Sequence, residues 1–139
     1  MSRRKLREHL FKLVYLCAFN PPEQMQEQMD LYFELNGDIS EEEKQYLASR
    51  FRAVSDAIPG IDDLLNQTAR GWKTNRFASC DLALLRVAVF EMRFDRVEKI
   101  PDGVAINEAV ELSKIYGGDE SQSFINGILG EIARLPRNE

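Results

Sequence analysis

Residue types that could carry out catalysis are sparse in this chain of 139 residues. The chain has one histidine, His9, and two cysteines, Cys17 and Cys80, which do not form a C-x-x-C pair. A zinc site or a Ser-His-Asp triad needs more of these groups close together. Glu108 and Glu111 stand three residues apart, but the histidines that complete a di-metal E-x-x-H motif are absent. The sequence therefore predicts neither an enzyme nor a metal or cofactor site.

Basic residues near the beginning of the chain are the stronger chemical signal. The whole chain has a net charge of −5, which argues against nucleic-acid binding through overall charge. Residues 1–19 nevertheless carry five bases and one acid, a sum of +4, whereas residues 20–43 carry eight acids and no base. A guanidinium group can donate two parallel hydrogen bonds to the oxygens of one phosphate. Arg3, Arg4 and Arg7, with Lys5, could therefore form a phosphate-binding arm. A solvated basic helix face is the alternative, and charge alone leaves it open.

Aromatic residues could add base stacking to such an arm. Tyr116 directly precedes the glycine pair at residues 117 and 118, and Phe124 follows that pair, while Tyr15 belongs to the N-terminal segment. Single-stranded RNA is commonly held by aromatic rings beside a basic track. Phe124 is equally well explained as a core residue, because it also fits an apolar helical pattern.

Hydrophobic periodicity predicts that helices position all of these residues. We expect about seven helices, with the apolar fifth helix at the centre because most of its surface is hydrophobic. Their predicted ranges are residues 3–19, about 22–35, 40–58, about 61–71, about 79–95, 104–116 and about 121–135.

Residues with strong local preferences mark the predicted helix ends. Pro59 and Gly60 are predicted to end the third helix. Gly127 and Gly130 lie inside the last helix and suggest that another helix backbone approaches closely there. The predicted N-caps are Ser2, Ser40 with Glu43 as a capping box, Asp102, and Asp119 or Ser121.

The pattern as a whole predicts an all-α protein. No alternating strand pattern and no repeat is visible, so we expect one domain over residues 1–139, with two helical subdomains (about 1–60 and 61–139) left open. The beginning of the chain imitates a secretory signal, but its apolar run covers only residues 13–19 and no cleavage site follows. We therefore expect a cytoplasmic protein without a membrane span.

Three stretches of the sequence resemble the NusB family of bacterial transcription antitermination factors. The most specific is PDGVAINEAVELSKIYGGDESQSFINGIL at residues 101–129. LRVAVFE at residues 85–91 and RRKLRE at residues 3–8, followed by VY at 14–15, are similar to further motifs of that family. Lys12 and the Lys5-Leu6 pair depart from the residues usual in the family, which leaves the details of RNA contact open.

The resemblance implies an all-α fold of two packed helical bundles and a non-catalytic RNA-binding adaptor without a cofactor. The family binds the boxA element of ribosomal RNA leader transcripts together with NusE, a small-subunit ribosomal protein, and acts on the RNA polymerase elongation complex. The rival interpretation is a protein–protein scaffold in ribosome assembly or self-association that binds no RNA; whether the chain forms a homodimer stays open. The implied RNA contacts are Arg3, Arg4, Lys5, Arg7, Lys114, Tyr116, Glu120 and Phe124, and the implied NusE contacts are Tyr15 and Asp81.

Overall fold

Within residues 1–69 and 76–137, which the computed structural model describes, all regular secondary structure is helical. A 3₁₀ turn at Pro22–Gln24 leads into the second α-helix, and a π-helical turn at Phe90–Phe94 continues the fourth. The all-α prediction is therefore confirmed. None of these helices is long and apolar enough to cross a membrane. The α-helices are α1 (Arg3–Leu16), α2 (Met25–Leu35), α3 (Glu41–Thr68), α4 (Ser79–Val89), α5 (Asp102–Tyr116) and α6 (Ser121–Arg134).

Two predicted serine caps are confirmed. The Lys5 N–H donates to Ser2 Oγ at 3.1 Å, and Ser40 and Glu43 exchange bonds of 3.1 and 2.9 Å in a capping box. These bonds satisfy backbone N–H groups that have no carbonyl partner in a first helical turn. In α1 the cap supports a helix end where basic side chains oppose the helix dipole.

The predicted break at Pro59 is wrong, because α3 continues through Pro59 and Gly60. Proline removes one backbone hydrogen bond and costs about 3 kcal/mol inside a helix. The apolar stripe keeps its helical spacing across the proline, so burying it on one continuous helix outweighs that cost. Predicted helices three and four are thus one helix, and the predicted end near residue 71 lies outside the described residues. The buried stripe consists of Leu47, Phe51, Val54, Ile61 and Leu65.

The predicted cap at Asp102 is also wrong. Pro101 is the N-cap residue of α5, and Asp102 is its first helical residue. The Asp102 carboxylate accepts hydrogen bonds from Arg93, at 3.2 Å, and from Arg137. Ion pairing with two arginines therefore occupies the side chain that was expected to cap the helix.

The beginning and the interior of α6 differ from expectation as well. Glu120 is the N-cap residue and makes no side-chain cap, so neither Asp119 nor Ser121 is the N-cap. Ser121 Oγ instead accepts from the Gly118 N–H at 3.0 Å, which closes the corner after α5. A Cβ at Gly127 would meet nothing within 4 Å, and at Gly130 only the Arg134 side chain at 4.0 Å. The predicted close helix approach is therefore wrong.

Helix α4, which corresponds to the predicted fifth helix, lies at the centre of the fold, as its apolar composition predicts. It contacts α1, α3, α5 and α6, and most of its residues from Asp81 to Val89 are buried. The buried apolar side chains of all six helices form a single cluster around it. Two subdomains divided near residue 60 stay a prediction, and α3 runs through that position.

Candidate nucleic-acid interface

Helix α1 turns its apolar residues to the core and its first basic residues to the surface. Leu10, Leu13 and other apolar residues of α1 are buried, whereas Arg3, Arg4 and Lys5 are exposed. Arg3 forms no ion pair with any residue that the structure describes. The amphipathic spacing of α1 thus places a cluster of cations at the beginning of the helix.

Two of the predicted arm residues are held by glutamates of other helices. Arg4 Nε donates to Glu108 Oε2 at 3.0 Å. Arg7 Nη2 lies 2.9 Å from Glu91 Oε2, and Arg7 Nη1 lies 3.5 Å from Glu108 Oε1. Burial raises the pKa of Glu91 above its ordinary value, and the Arg7 charge opposes that rise. Because the Arg7 side chain is 11% exposed and that of Arg4 is 64% exposed, Arg7 mainly joins helices while Arg4 stays accessible.

Tyr116, at the end of α5, lies against α1. Its hydroxyl donates to Glu8 Oε2 at 3.0 Å, and its ring centroid is 5.2 Å from that of Phe11. Lys12 Nζ lies 5.6 Å from the centre of the Tyr116 ring, a cation–π contact. Lys5 Nζ donates to Glu8 Oε1 at 2.7 Å, and this bond with that of Tyr116 lowers the pKa of Glu8. The structure thus brings Lys5, Lys12 and Tyr116 together.

An aromatic row runs along α1 and continues beyond its end at Leu16 to Phe19. Tyr15 is half-buried, and its ring centroid is 6.3 Å from Phe11 and 5.0 Å from Phe19. Phe19 is 60% exposed, so the end of the row is open to solvent. Sequence reasoning did not single out Lys12 or Phe19 as candidate site residues, although the spacing of four residues along Phe11, Tyr15 and Phe19 is a visible signal. Exposed aromatic rings beside cations suit the stacking of unpaired bases.

The other residues predicted near the glycine corner are in different surroundings. Lys114 is exposed and pairs with Glu111 at 3.0 Å, and Glu120 is exposed before α6. Phe124 is half-buried, with its ring edge-on to Phe77 at a centroid distance of 5.2 Å. Phe124 therefore belongs at least partly to the core, whereas Tyr116 is available at the surface.

Asp81 lies in the first turn of α4 and is 8% exposed. Its Oδ1 has no hydrogen-bond partner among the described residues. The helix dipole favours a negative charge in this turn, although a buried acceptor without a donor is costly. Next to it, the Cys80 thiol donates to the Tyr116 carbonyl at 3.3 Å, which joins α4 to the end of α5.

The single histidine is a core residue. His9 is 3% exposed, its Nδ1 lies 2.5 Å from the Tyr32 hydroxyl, and its Nε2 has no partner in the described part of the chain. Burial lowers the pKa of His9 and raises that of Tyr32 to about 12. Across the described ranges, no group of three or more His, Cys, Asp or Glu side chains is arranged to hold a metal ion.

Comparison with known proteins identifies the family. Residues 4–134 match the model of the NusB family. This chain belongs to the NusB family. The transcription antitermination protein NusB of Lachnoclostridium phytofermentans is 44% identical over 132 residues, covering 95% of this chain and 98% of that protein. The NusB protein of Agathobacter rectalis is 41% identical over 133 residues, covering 96% of this chain and all of that protein (100%).

Solved structures of the family have the same fold. NusB of T. maritima superposes with a TM-score of 0.81 at 30% identity, over 99% of this chain and 94% of that one. A complex of the antitermination factors NusB and NusE with double-stranded RNA gives a TM-score of 0.72 at 22% identity, over 95% of this chain and 97% of that one. At that identity the second match shows a shared NusB fold.

Proposed function

We propose that this protein is a non-catalytic, cytoplasmic RNA-binding adaptor in the antitermination of ribosomal RNA operons. It binds boxA-type single-stranded RNA together with NusE, and through NusE acts on the RNA polymerase elongation complex. Family membership supports this role, since the similar proteins from two bacteria are transcription antitermination proteins. A protein of the same fold forms a complex with NusE and RNA, which supports these partners.

The basic and aromatic surface of α1 is the observation that carries the proposal. Arg3 is exposed without an ion pair in the described residues, Arg4 is mostly exposed, and Lys12 lies over the ring of Tyr116. Cations would bind the phosphates, and the exposed rings of Tyr116 and Phe19 would stack on bases. A local positive surface on an acidic protein restricts RNA to this face.

The remaining predicted residues fit around this surface in the proposal. Lys114, Glu120 and Phe124 border the RNA path at the corner between α5 and α6. Tyr15 and Asp81 face NusE.

Fluorescence anisotropy of a labelled boxA-type RNA tests this function. We expect sequence-selective binding that is tighter with NusE than without it and that weakens steeply with salt, because phosphate contacts release counterions. A matched RNA with a scrambled sequence is the control. No RNA binding with or without NusE would contradict the proposal.

A protein–protein scaffold is the second candidate, and one observation favours it. Arg4, Lys5 and Arg7 each pair with a glutamate of this chain, which reduces the charge left for phosphate. A stable complex with NusE whose affinity changes little with salt, together with absent RNA binding, would identify the scaffold.

A further inference from the structure

We propose that Glu108 limits the RNA affinity of this protein because its carboxylate competes with RNA phosphate for Arg4. This inference rests on the proposed function and concerns the regulation of the same surface. It makes Glu108 a positioning residue that acts through Arg4.

The geometry around Arg4 supports competition. Arg4 Nε lies 3.0 Å and 3.4 Å from the two carboxylate oxygens of Glu108, and no other partner of Arg4 is present among the described residues. The Arg4 side chain is 64% exposed, so solvent and a phosphate group can reach its guanidinium. A phosphate bound at Arg4 would compete for its positive charge with the Glu108 carboxylate, which already contacts Arg4.

Contacts within the chain hold Glu108 in place. Its side chain is 14% exposed, and its Oε1 lies 3.5 Å from Arg7 Nη1. Arg7 is fixed in turn by Glu91, whose side chain is 3% exposed. The carboxylate that faces Arg4 is therefore mostly buried and held by its ion pair with Arg7.

Removing only the charge of Glu108 should therefore strengthen RNA binding. Glutamine keeps a side-chain oxygen that can accept from Arg4 Nε–H, so Glu108→Gln removes the competing charge but not the orientation of Arg4. Exposed ion pairs are modest, which gives an expected gain in affinity of about two- to fivefold at low salt. One additional phosphate contact should steepen the slope of the logarithm of the binding constant against the logarithm of the salt concentration by about 0.7 for single-stranded RNA.

The test compares the full chain with two variants of equal net charge, using fluorescein-labelled boxA-type RNA in anisotropy titrations at several salt concentrations. Glu131→Gln is the matched control because Glu131 pairs with Arg134 on α6 instead. We expect tighter binding and a steeper salt dependence for Glu108→Gln and a clearly smaller change for Glu131→Gln. Unchanged or weaker binding by folded Glu108→Gln, or an equal gain in both variants, would overturn the inference.

A second comparison does not depend on the folding of Glu108→Gln. If Glu108 already neutralises Arg4, then Arg4→Gln should lose less RNA affinity than Arg3→Gln, since Arg3 has no carboxylate partner in the described residues. In the double variant with Arg4→Gln, the gain from Glu108→Gln should disappear. Equal losses from Arg3→Gln and Arg4→Gln, or a gain that persists without Arg4, would count against the inference. If the wild-type chain binds no RNA, the proposed function itself is overturned. If the wild-type chain binds RNA but the variants give either of these contrary results, only the inference about Glu108 is overturned.

Discussion

Replacing Arg7 with glutamine would leave the buried Glu91 carboxylate without its ion-pair partner. The two side chains are 11% and 3% exposed, and their charged atoms are 2.9 Å apart. Removing one partner of a buried ion pair costs about 3–5 kcal/mol, and the lower end applies because Arg7 reaches the edge of the core. For a domain of this size, each kcal/mol lowers the melting temperature by about 2–4 °C, so about 6–12 °C is expected.

Urea and thermal unfolding followed by far-UV circular dichroism measure this loss. Arg3→Gln is the matched control, since it removes the same charge from an exposed position and should change stability by less than about 0.5 kcal/mol. The double variant Arg7→Met/Glu91→Leu should recover most of the stability, because an apolar pair leaves no unpaired charge at this position. If Arg7→Gln is as stable as Arg3→Gln, the assignment of Arg7 to the packing of α1 is refuted.

Three further predictions concern stability. Burial lowers the pKa of His9 below its ordinary value of 6.5, so the unfolded chain binds a proton at this residue more readily than the folded chain does. The wild type should therefore lose stability as the pH falls below 6.5, and His9→Phe should lose less. Plots of urea-unfolding free energy against pH that run parallel for the two proteins would contradict this. Ser40→Ala should cost about 1 kcal/mol in chemical denaturation, and an unchanged midpoint would argue against the cap. Gly60→Ala places a Cβ 2.9 Å from Phe94 and should cost about 1–3 kcal/mol. The control Gly127→Ala places its Cβ in open space and should gain about 0.5–1 kcal/mol of stability. A change in stability of the same sign in both variants would refute the steric role of Phe94.

Features set by neighbouring residues were predictable from the sequence. The serine caps of α1 and α3 depend on groups within three residues, and the apolar composition of α4 indicates its central position. Family motifs identified the fold because they cover both ends of the chain. These signals need no knowledge of which helices meet.

Features set by tertiary packing were not predictable. Pro59 lies inside α3 because the core buries residues on both sides of it, which overrides the local preference of proline. Arg7 and Glu91 are 84 residues apart, so nothing local reveals that this arginine faces a buried acid. For the same reason, charge alone did not separate Arg3, which is exposed, from Arg7, which joins helices.

The most direct test of RNA binding by α1 is the boxA-type RNA affinity of Arg3→Gln compared with that of Arg96→Gln. Both arginines are exposed and form no ion pair with the residues that the structure describes, but Arg96 follows the π-helical turn instead of beginning α1. We predict weaker binding for Arg3→Gln, with a logarithmic salt slope reduced by about 0.7, and near wild-type binding for Arg96→Gln. Equal affinity and equal salt dependence in the two variants would contradict the account.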